Sequence, residues 1–391
     1  MKTFFTLFFL LLGLSSNAQS IDLSRNYIFK KDSFSYILDC NERSNYLKAY
    51  DYLFNKNFSN NYINSLNAIG LYAYAKSTDS VEIIGKKSVF KLKYEDKDTI
   101  SLDAILSKVK RNGILIINEE HLRMETRVIN YNMLPLLKKH NFTHLAMEAL
   151  YNNKDNGYVS FKNGYYFIEP IQAEILRKAR ALGFQIVEYD TFIVEQSKRD
   201  SLQAFHLNNI MKQNDSIKMV VIAGQSHGAE DCDFCPPLMG RFLKDLYKID
   251  PVTIDQTRGI DFTTTLDISF VGKRRDCYLS SDIVKKNIGF GMFDYFYLHP
   301  KNTKISDWTS LMYDRKEYTL PCINKNASMV QVYLKKEYDI DKGNFCTPVL
   351  IRTNVNPSGN FLLFLRSQND YVIVYRDTEN RIMEIQNFYA K

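Results

Sequence analysis

The stretch from Asn112 to Leu150 constrains this chain most, because it sets two short apolar runs on either side of one helical period and ends both runs on acid. The first run, Ile114 to Ile117, has the length and composition of a buried strand and stops abruptly at Asn118-Glu119-Glu120-His121. Ile129, Met133, Leu136 and Leu137 then recur at helical spacing, and a second run, Leu145 to Met147, finishes on Glu148. The unit reads strand, helix, strand. Parallel sheets open their binding crevice just beyond the carboxyl ends of the strands, so Glu119, Glu120, His121 and Glu148 are expected to converge there.

The alternation persists. Glu169-Pro170 predicts a helix start with Ile171, Ile175, Ala179 and Leu182 on one face, and Gly183 stops it. Phe184 to Val187 reads as a third strand ending in Glu188-Tyr189-Asp190, followed by a helix from about Glu195 to Lys212 that carries Arg199 and Asp200 early. Met219 to Ala223 reads as a fourth strand and breaks into Gly224-Gln225-Ser226-His227-Gly228. A helix from Pro237 to Tyr247 and a strand from Val252 to Asp255 complete the series. Right-handed crossovers then predict an α/β fold, a mostly parallel sheet with helices on both faces, over residues 101–260.

From Thr263 onward the pattern changes to successive strands at Met329, Pro348, Phe361 and Tyr371, separated by turn signals such as Asn356-Pro357-Ser358-Gly359. Residues 261–391 are therefore expected to form a β-rich C-terminal domain. Residues 19–100 read as a small, partly helical preface that closes with a strand or hairpin at Val81 to Tyr94. A helix from Ser101 to Lys110 leads into the first core strand.

The opening residues give one Lys, an apolar run from Phe4 to Leu14, and small residues at Ser16 and Ala18. That order predicts a secretory signal over residues 1–18, cleaved near Ala18, and hence an exported, periplasmic or secreted protein. No later run approaches the roughly 18 apolar residues of a membrane span. The net charge of +7 is spread among acids without a basic run, which argues against a nucleic-acid partner. Six cysteines are too sparse to frame the fold, and Cys232-Asp-Phe-Cys235 reads as a local disulfide in an exported chain before it reads as a metal site.

Two strand-end histidines beside several carboxylates suit two kinds of chemistry. A carboxylate fixes an imidazole tautomer and raises its basicity, giving a general base next to an acid. The same groups can hold a divalent metal, Zn or Mn, with an open position that activates water. No GxSxG elbow and no HExxH helix occur, which disfavours an ordinary serine hydrolase or zincin. The catalytic candidates are His121, Glu119, Glu148 and His227, of which His121, His227 and Glu148 are also the candidate metal ligands. Glu120, Arg127, Glu169, Glu188 and Arg199 are candidate ligand contacts, although each also fits a bland role as a helix cap, a solvated strand end or a surface ion pair. His140, His144, His206 and His299 read as structural.

Glu119-Glu120-His121, Glu148, Glu169-Pro170, the Arg199-Asp200-Ser-Leu-Gln-Ala helix start, Gly224-Gln-Ser-His227 and the Asp250-Pro-Val-Thr-Ile-Asp255-Gln run together resemble the erythromycin esterase and ChaN/Tiki-like superfamily. The resemblance covers about Ile114 to Gln256 and leaves both flanks outside it. That superfamily includes macrolide esterases, metal-dependent Tiki peptidases and haem-binding ChaN lipoproteins, so the resemblance implies a site more firmly than an activity. The expectation it carries is an exported hydrolase acting on a small-molecule or peptide ligand, its water activated by the His/Glu site with or without a divalent metal. The other expectation is a binding protein for haem or a similar planar ligand, with the aromatic-rich Tyr158 to Phe167 segment as lid. One residue departs from the pattern: Asn118 stands where the family's first motif usually has Gly, and Asn is the ordinary residue best able to take the left-handed turn expected there.

Overall fold

The computed structural model describes residues 90–91, 94–121, 124–191, 193, 195–224, 226–231, 235–257, 262–263, 278–288, 292–298, 308–353 and 359–391. The expected signal, nearly all of the helical preface, Cys232 and His299 lie outside the described residues.

In chain order the first elements are β1 (Phe90–Lys91), β2 (Thr99–Ile100), α1 (Leu102–Lys108), β3 (Ile114–Asn118), α2 (Met124–Lys139) and β4 (His144–Met147). They are followed by α3 (Pro170–Ala181), β5 (Gln185–Val187), α4 (Gln196–Met211), β6 (Met219–Ala223), α5 (Met239–Tyr247) and β7 (Val252–Asp255). Then come β8 (Phe262–Thr263), β9 (Tyr278–Ser280), α6 (Ser281–Ile288) and β10 (Tyr295–Tyr297). Among the described residues an eight-stranded sheet runs β2-β9-β10-β7-β3-β6-β4-β5. It is parallel from β10 through β5, and β9 and β2 add antiparallel pairings at one edge.

The strands expected between residues 101 and 260 all fall in this sheet, but the sheet also draws β9 and β10 from beyond residue 260 and β2 from before residue 101. These additions are two or three residues long, too short for a periodicity to show in the sequence.

Successive residues of a strand face opposite sides, and here both sides are covered. Leu115, Ile117, Leu145 and Val220 pack beneath Leu134 of α2 and Ile175 of α3. Ile114, Ile116, Met219 and Val221 pack against Leu207 of α4 and Leu243 of α5. At about 1.5–3 kcal/mol for each fully buried aliphatic side chain, these two layers supply the main drive for the α/β unit. The near-continuous apolar composition of β3 and β6 is what a doubly covered parallel strand requires.

Register is what places the site. Asn118 lies opposite both Ala223 and Asp255, and Met147 lies opposite Ile222, so β3, β4, β6 and β7 end nearly level. The Glu119 amide donates to the Ala223 carbonyl at 2.7 Å and the Glu148 amide to the Ile222 carbonyl at 2.9 Å. Residues far apart in sequence thus start side by side on one edge.

The remaining chain is mainly strand: β11 (Arg315–Pro321), β12 (Met329–Leu334), α7 (Lys335–Asp341), β13 (Leu350–Thr353), β14 (Asn360–Arg366), β15 (Asn369–Arg376) and β16 (Ile382–Ala390). The β11-β14 pair and the β13-β12-β15-β16 sheet share a core of Val330, Val332, Leu363, Leu365 and Ile373. Cys235 is disulfide-bonded, whereas Cys322 and Cys346 are free. No described helix is long and apolar enough to cross a membrane.

Candidate functional site

Glu119 is the first residue beyond β3, and its carboxylate is buried. α2 returns over the strand end with Arg127 and Asn130 on one turn, and both reach that carboxylate. Arg127 Nη2 donates to Glu119 Oε1 at 3.3 Å and Asn130 Nδ2 to Oε2 at 3.4 Å. His121 Nδ1 lies 3.1 Å from Glu119 Oε1, which fixes the ring by its Nδ1 side. Burial alone would raise the Glu119 carboxyl, but Arg127 and His121 hold it below its ordinary value.

Glu148, the first residue beyond β4, sits at the centre. Its Oε1 accepts from Arg199 Nη2 at 2.7 Å and lies 3.5 Å from His227 Nε2. Its Oε2 accepts the Gly224 amide and lies 3.8 Å from His121 Nε2. Both strand-end histidines therefore meet at one carboxylate. Burial opposes ionisation of Glu148, yet His227, His121 and Arg199 hold it well below the usual carboxylate range. Gly224 leaves room for both side chains: a Cβ there would collide with His121 Nε2 and stand 2.8 Å from Glu148 Oε2.

On the other face of the sheet, Asp200 of α4 accepts from His227 Nδ1 at 2.7 Å and from the Met239 amide at 2.9 Å, at the first residue of α5. Burial would lower the His227 imidazole, but Glu148 and Asp200 push it up to about 10, so the ring is cationic at neutral pH. Arg199 bridges Glu148 to Asp190, donating to the latter from Nε at 2.9 Å and from Nη2 at 2.5 Å. Asp190 also accepts from Gln203 at 2.7 Å and from the Ala149 amide at 3.0 Å. The result is one continuous network of acidic and basic side chains, from Glu169 through Arg127, Glu119, His121 and Glu148 to His227 and Arg199.

Within this network solvent reaches His121 and Arg199, whose side chains are 20% and 23% exposed. Tyr166 stacks on His121 with ring centroids 4.4 Å apart and planes 25° apart, and the Arg127 guanidinium carbon lies 5.4 Å from the Tyr166 ring centroid. Two non-glycine residues in the turns after β4 and β6 take positive φ, Ala149 at 55° and Ser226 at 71°. Such a conformation costs on the order of 1–2 kcal/mol, and here it turns the chain directly after Glu148 and directly before His227.

The expected ligand contacts divide. Arg199 lines the opening. Arg127 and Glu169 are buried, and Arg127 Nη1 donates to Glu169 Oε2 at 3.2 Å. Glu169 also caps α3 by accepting the Ile171 and Gln172 amides, each at 2.7 Å. Burial raises its carboxyl despite Arg127. Glu120 follows Glu119 half-buried, its carbonyl accepting from Thr126 at 3.3 Å. Glu188 is exposed and bonds the Asn153 amide at 2.5 Å; Asp190, two residues on, occupies the place expected of it. His140, His144 and His206 bond Asp103, Thr143 and the Tyr189 carbonyl, as structural histidines do.

Asn118 corrects the expected turn. It is the extended last residue of β3, with its amide buried and without a protein partner, and the left-handed residues lie at Ala149 and Ser226 instead. Asn130 and Tyr166 are not singled out by the sequence pattern, and Asp190 and Asp200 stand in its motifs without being assigned to the site. Asp190 and Asp200 had a signal, as a strand-end acid and as the neighbour of Arg199, but Tyr166 had only its aromatic-rich loop.

The donor set does not fit a metal as it stands. Among the described residues no group of three or more His, Cys, Asp or Glu side chains is arranged to hold one. Arg199 and the Gly224 amide occupy the Glu148 oxygens, and a cationic His227 has no lone pair to give.

No family model matches the chain, and no curated protein matches it. Among solved structures, the type III effector HopBA1 is similar at 13% identity and a TM-score of 0.32, over 51% of this chain and 93% of that one. RRSP, a MARTX toxin effector domain from Vibrio vulnificus, is similar at 14% identity and 0.31, over 57% of this chain and 55% of that one. A structure of bacterial protein toxins is similar at 16% identity and 0.30, over 60% of this chain and 59% of that one. This chain thus spans little more than half the length of the latter two.

Proposed function

We propose that this protein is an exported hydrolase of the erythromycin esterase and ChaN/Tiki-like kind, in which His121 is the general base and no metal takes part in the step. The observation that carries the reading is that His121 holds Nδ1 on the buried Glu119 carboxylate while its ring stays open to solvent. An imidazole fixed in this way keeps one tautomer, and its other nitrogen can take a proton from water. The hydroxide so formed attacks an acyl carbon. His227 and Arg199 supply fixed positive charge around Glu148 for the oxyanion that develops, and the proton on His121 passes to the leaving group. Small-molecule esters and peptides are the substrate classes that the resemblance brings with it.

The test is hydrolysis of a panel of neutral activated esters and short peptides by the purified chain and by His121→Ala. Loss of a general base costs about 10²–10⁴-fold in rate, so kcat/KM should fall by that factor while the circular dichroism spectrum is unchanged. Turnover surviving in the folded Ala variant removes His121 from the role.

A further inference from the structure

Tyr166 is the residue that holds the His121 ring from above, and it lies on a segment attached at both ends. Near the site, the Tyr165 amide donates to the Ala149 carbonyl at 3.0 Å and Gly164 bridges Leu150. Asn163 is also tied on this side, its carbonyl accepting the Tyr151 amide at 2.9 Å and the Asn152 amide at 3.1 Å, and the remaining anchors come from the C-terminal region. The Phe161 amide donates to the Phe345 carbonyl at 3.2 Å, the Thr347 amide to the Val159 carbonyl at 2.9 Å, and Ser160 bridges Cys346. The Thr347 hydroxyl donates to the Phe167 carbonyl at 2.6 Å, immediately after Tyr166. The Val159 amide donates to Glu337 Oε2 at 3.4 Å.

These anchors are themselves held. Arg177 of α3 donates to Glu337 from Nε at 2.9 Å and from Nη2 at 2.7 Å, and also to the Thr347 carbonyl. On the surface Lys162 Nζ stands 3.4 Å from the centroid of the Phe345 ring. The segment from 159 to 167, with a single 3-10 turn at Phe161–Asn163 and an isolated bridge at each side of it, thus links the C-terminal region to the ring that stacks on His121.

We propose that Glu337 and Thr347 are positioning residues for the site, acting through the 159–167 segment to keep the Tyr166 ring against His121. A stacked ring at that distance restricts rotation of the imidazole, which keeps Nδ1 on Glu119 and Nε2 toward Glu148. The consequence for turnover rests on the reading of His121 as the base; the positioning itself does not.

The experiment is NMR of the full chain with ring-labelled histidine, following the His121 ring protons, assigned by their loss in His121→Ala. Stacking on Tyr166 displaces these resonances by ring current, and Tyr166→Leu marks where they lie without it. Thr347→Val, which removes only the hydroxyl, should move them toward the Tyr166→Leu position, and Thr347→Ser should return them. Phe345→Ala is the second variant, since Phe345 is 38% exposed and its loss leaves the core filled. It should shift them in the same direction even if Thr347→Val does not fold. His121 resonances at their wild-type positions in every folded variant of Thr347 and Phe345 overturn the proposal. Because no substrate is needed, this result is separate from failure of the hydrolase reading, which turns on activity alone.

Discussion

Glu148 concentrates the electrostatics of the site in one residue. It is 4% exposed and accepts from Arg199 and Gly224 with two imidazoles close by, so it is neither a solvated strand end nor a simple cap. Burial makes Glu148→Gln a change in stability as well as in the site. Removing one partner of a buried charge network costs about 3–5 kcal/mol, because the remaining charges stay in a poor solvent. The pH dependence follows from His227. Its folded value is raised to about 10 from an ordinary value of about 6.5. The contribution is complete below the unfolded value and is lost as pH rises through the folded one. The urea midpoint of the wild type should therefore decline across that alkaline window. Glu148→Gln should lower the midpoint at neutral pH and flatten the decline, since Glu148 is the leading cause of the raised value. A Gln variant with the wild-type midpoint and slope would remove Glu148 from the network.

At the scale of elements, the site is made by the ends of strands and the beginnings of helices. β3, β4 and β6 finish level, and α3 and α5 begin there with positive N-termini capped by Glu169 and Asp200. Each carboxylate in turn satisfies backbone amides that the first turn of its helix leaves without a partner. The turn after β6 must also pass within contact distance of His121, which a side chain would prevent. Gly224→Ala should leave the sheet folded and push the imidazole off Glu119, because a strand end held on both sides is harder to move than a half-exposed ring. Thermal melting beside the ester assay checks this, the expected outcome being a larger loss in rate than in melting temperature. Full activity in the Ala variant would show that the turn has room to spare.

For the molecule as a whole, a second buried ionic cluster joins the α/β unit to the C-terminal strands. Glu174 of α3 is 1% exposed and meets Arg177 at 3.1 Å, Arg366 at 3.5 Å and Arg315 more closely still. Arg315 and Arg366 lie directly opposite each other on β11 and β14, an unfavourable pair without an acid between them. Burial opposes the charge on Glu174, but the three guanidinium groups bring its carboxyl down to about 2. Its contribution is present above the ordinary carboxylate range and is lost as pH falls toward that value. Glu174→Gln should cost about 3–5 kcal/mol at neutral pH, read as a lower melting temperature and as faster proteolysis between α3 and β11. A melting temperature within a degree of wild type would mean that the two regions are held by their apolar contacts alone.

The sequence by itself determined the order of the α/β strands and helices, because doubly covered strands must be apolar throughout and helices must repeat their apolar face. It also placed Glu119, His121, Glu148 and His227 at strand ends, which is a matter of chain position. Tertiary structure alone decided that β9 and β10 return to the sheet, because strands of three residues carry no period and gain their place only by pairing. It decided that Glu188 faces solvent while Asp190 takes Arg199, since direction beyond a strand end depends on the chain packed beside it. It decided that Arg127 and Glu169 are buried supports, because exposure belongs to what covers a residue. The same holds for the stacking of Tyr166 on His121, which depends on the 159–167 segment being anchored by Glu337 and Thr347, residues nearly two hundred positions further along the chain.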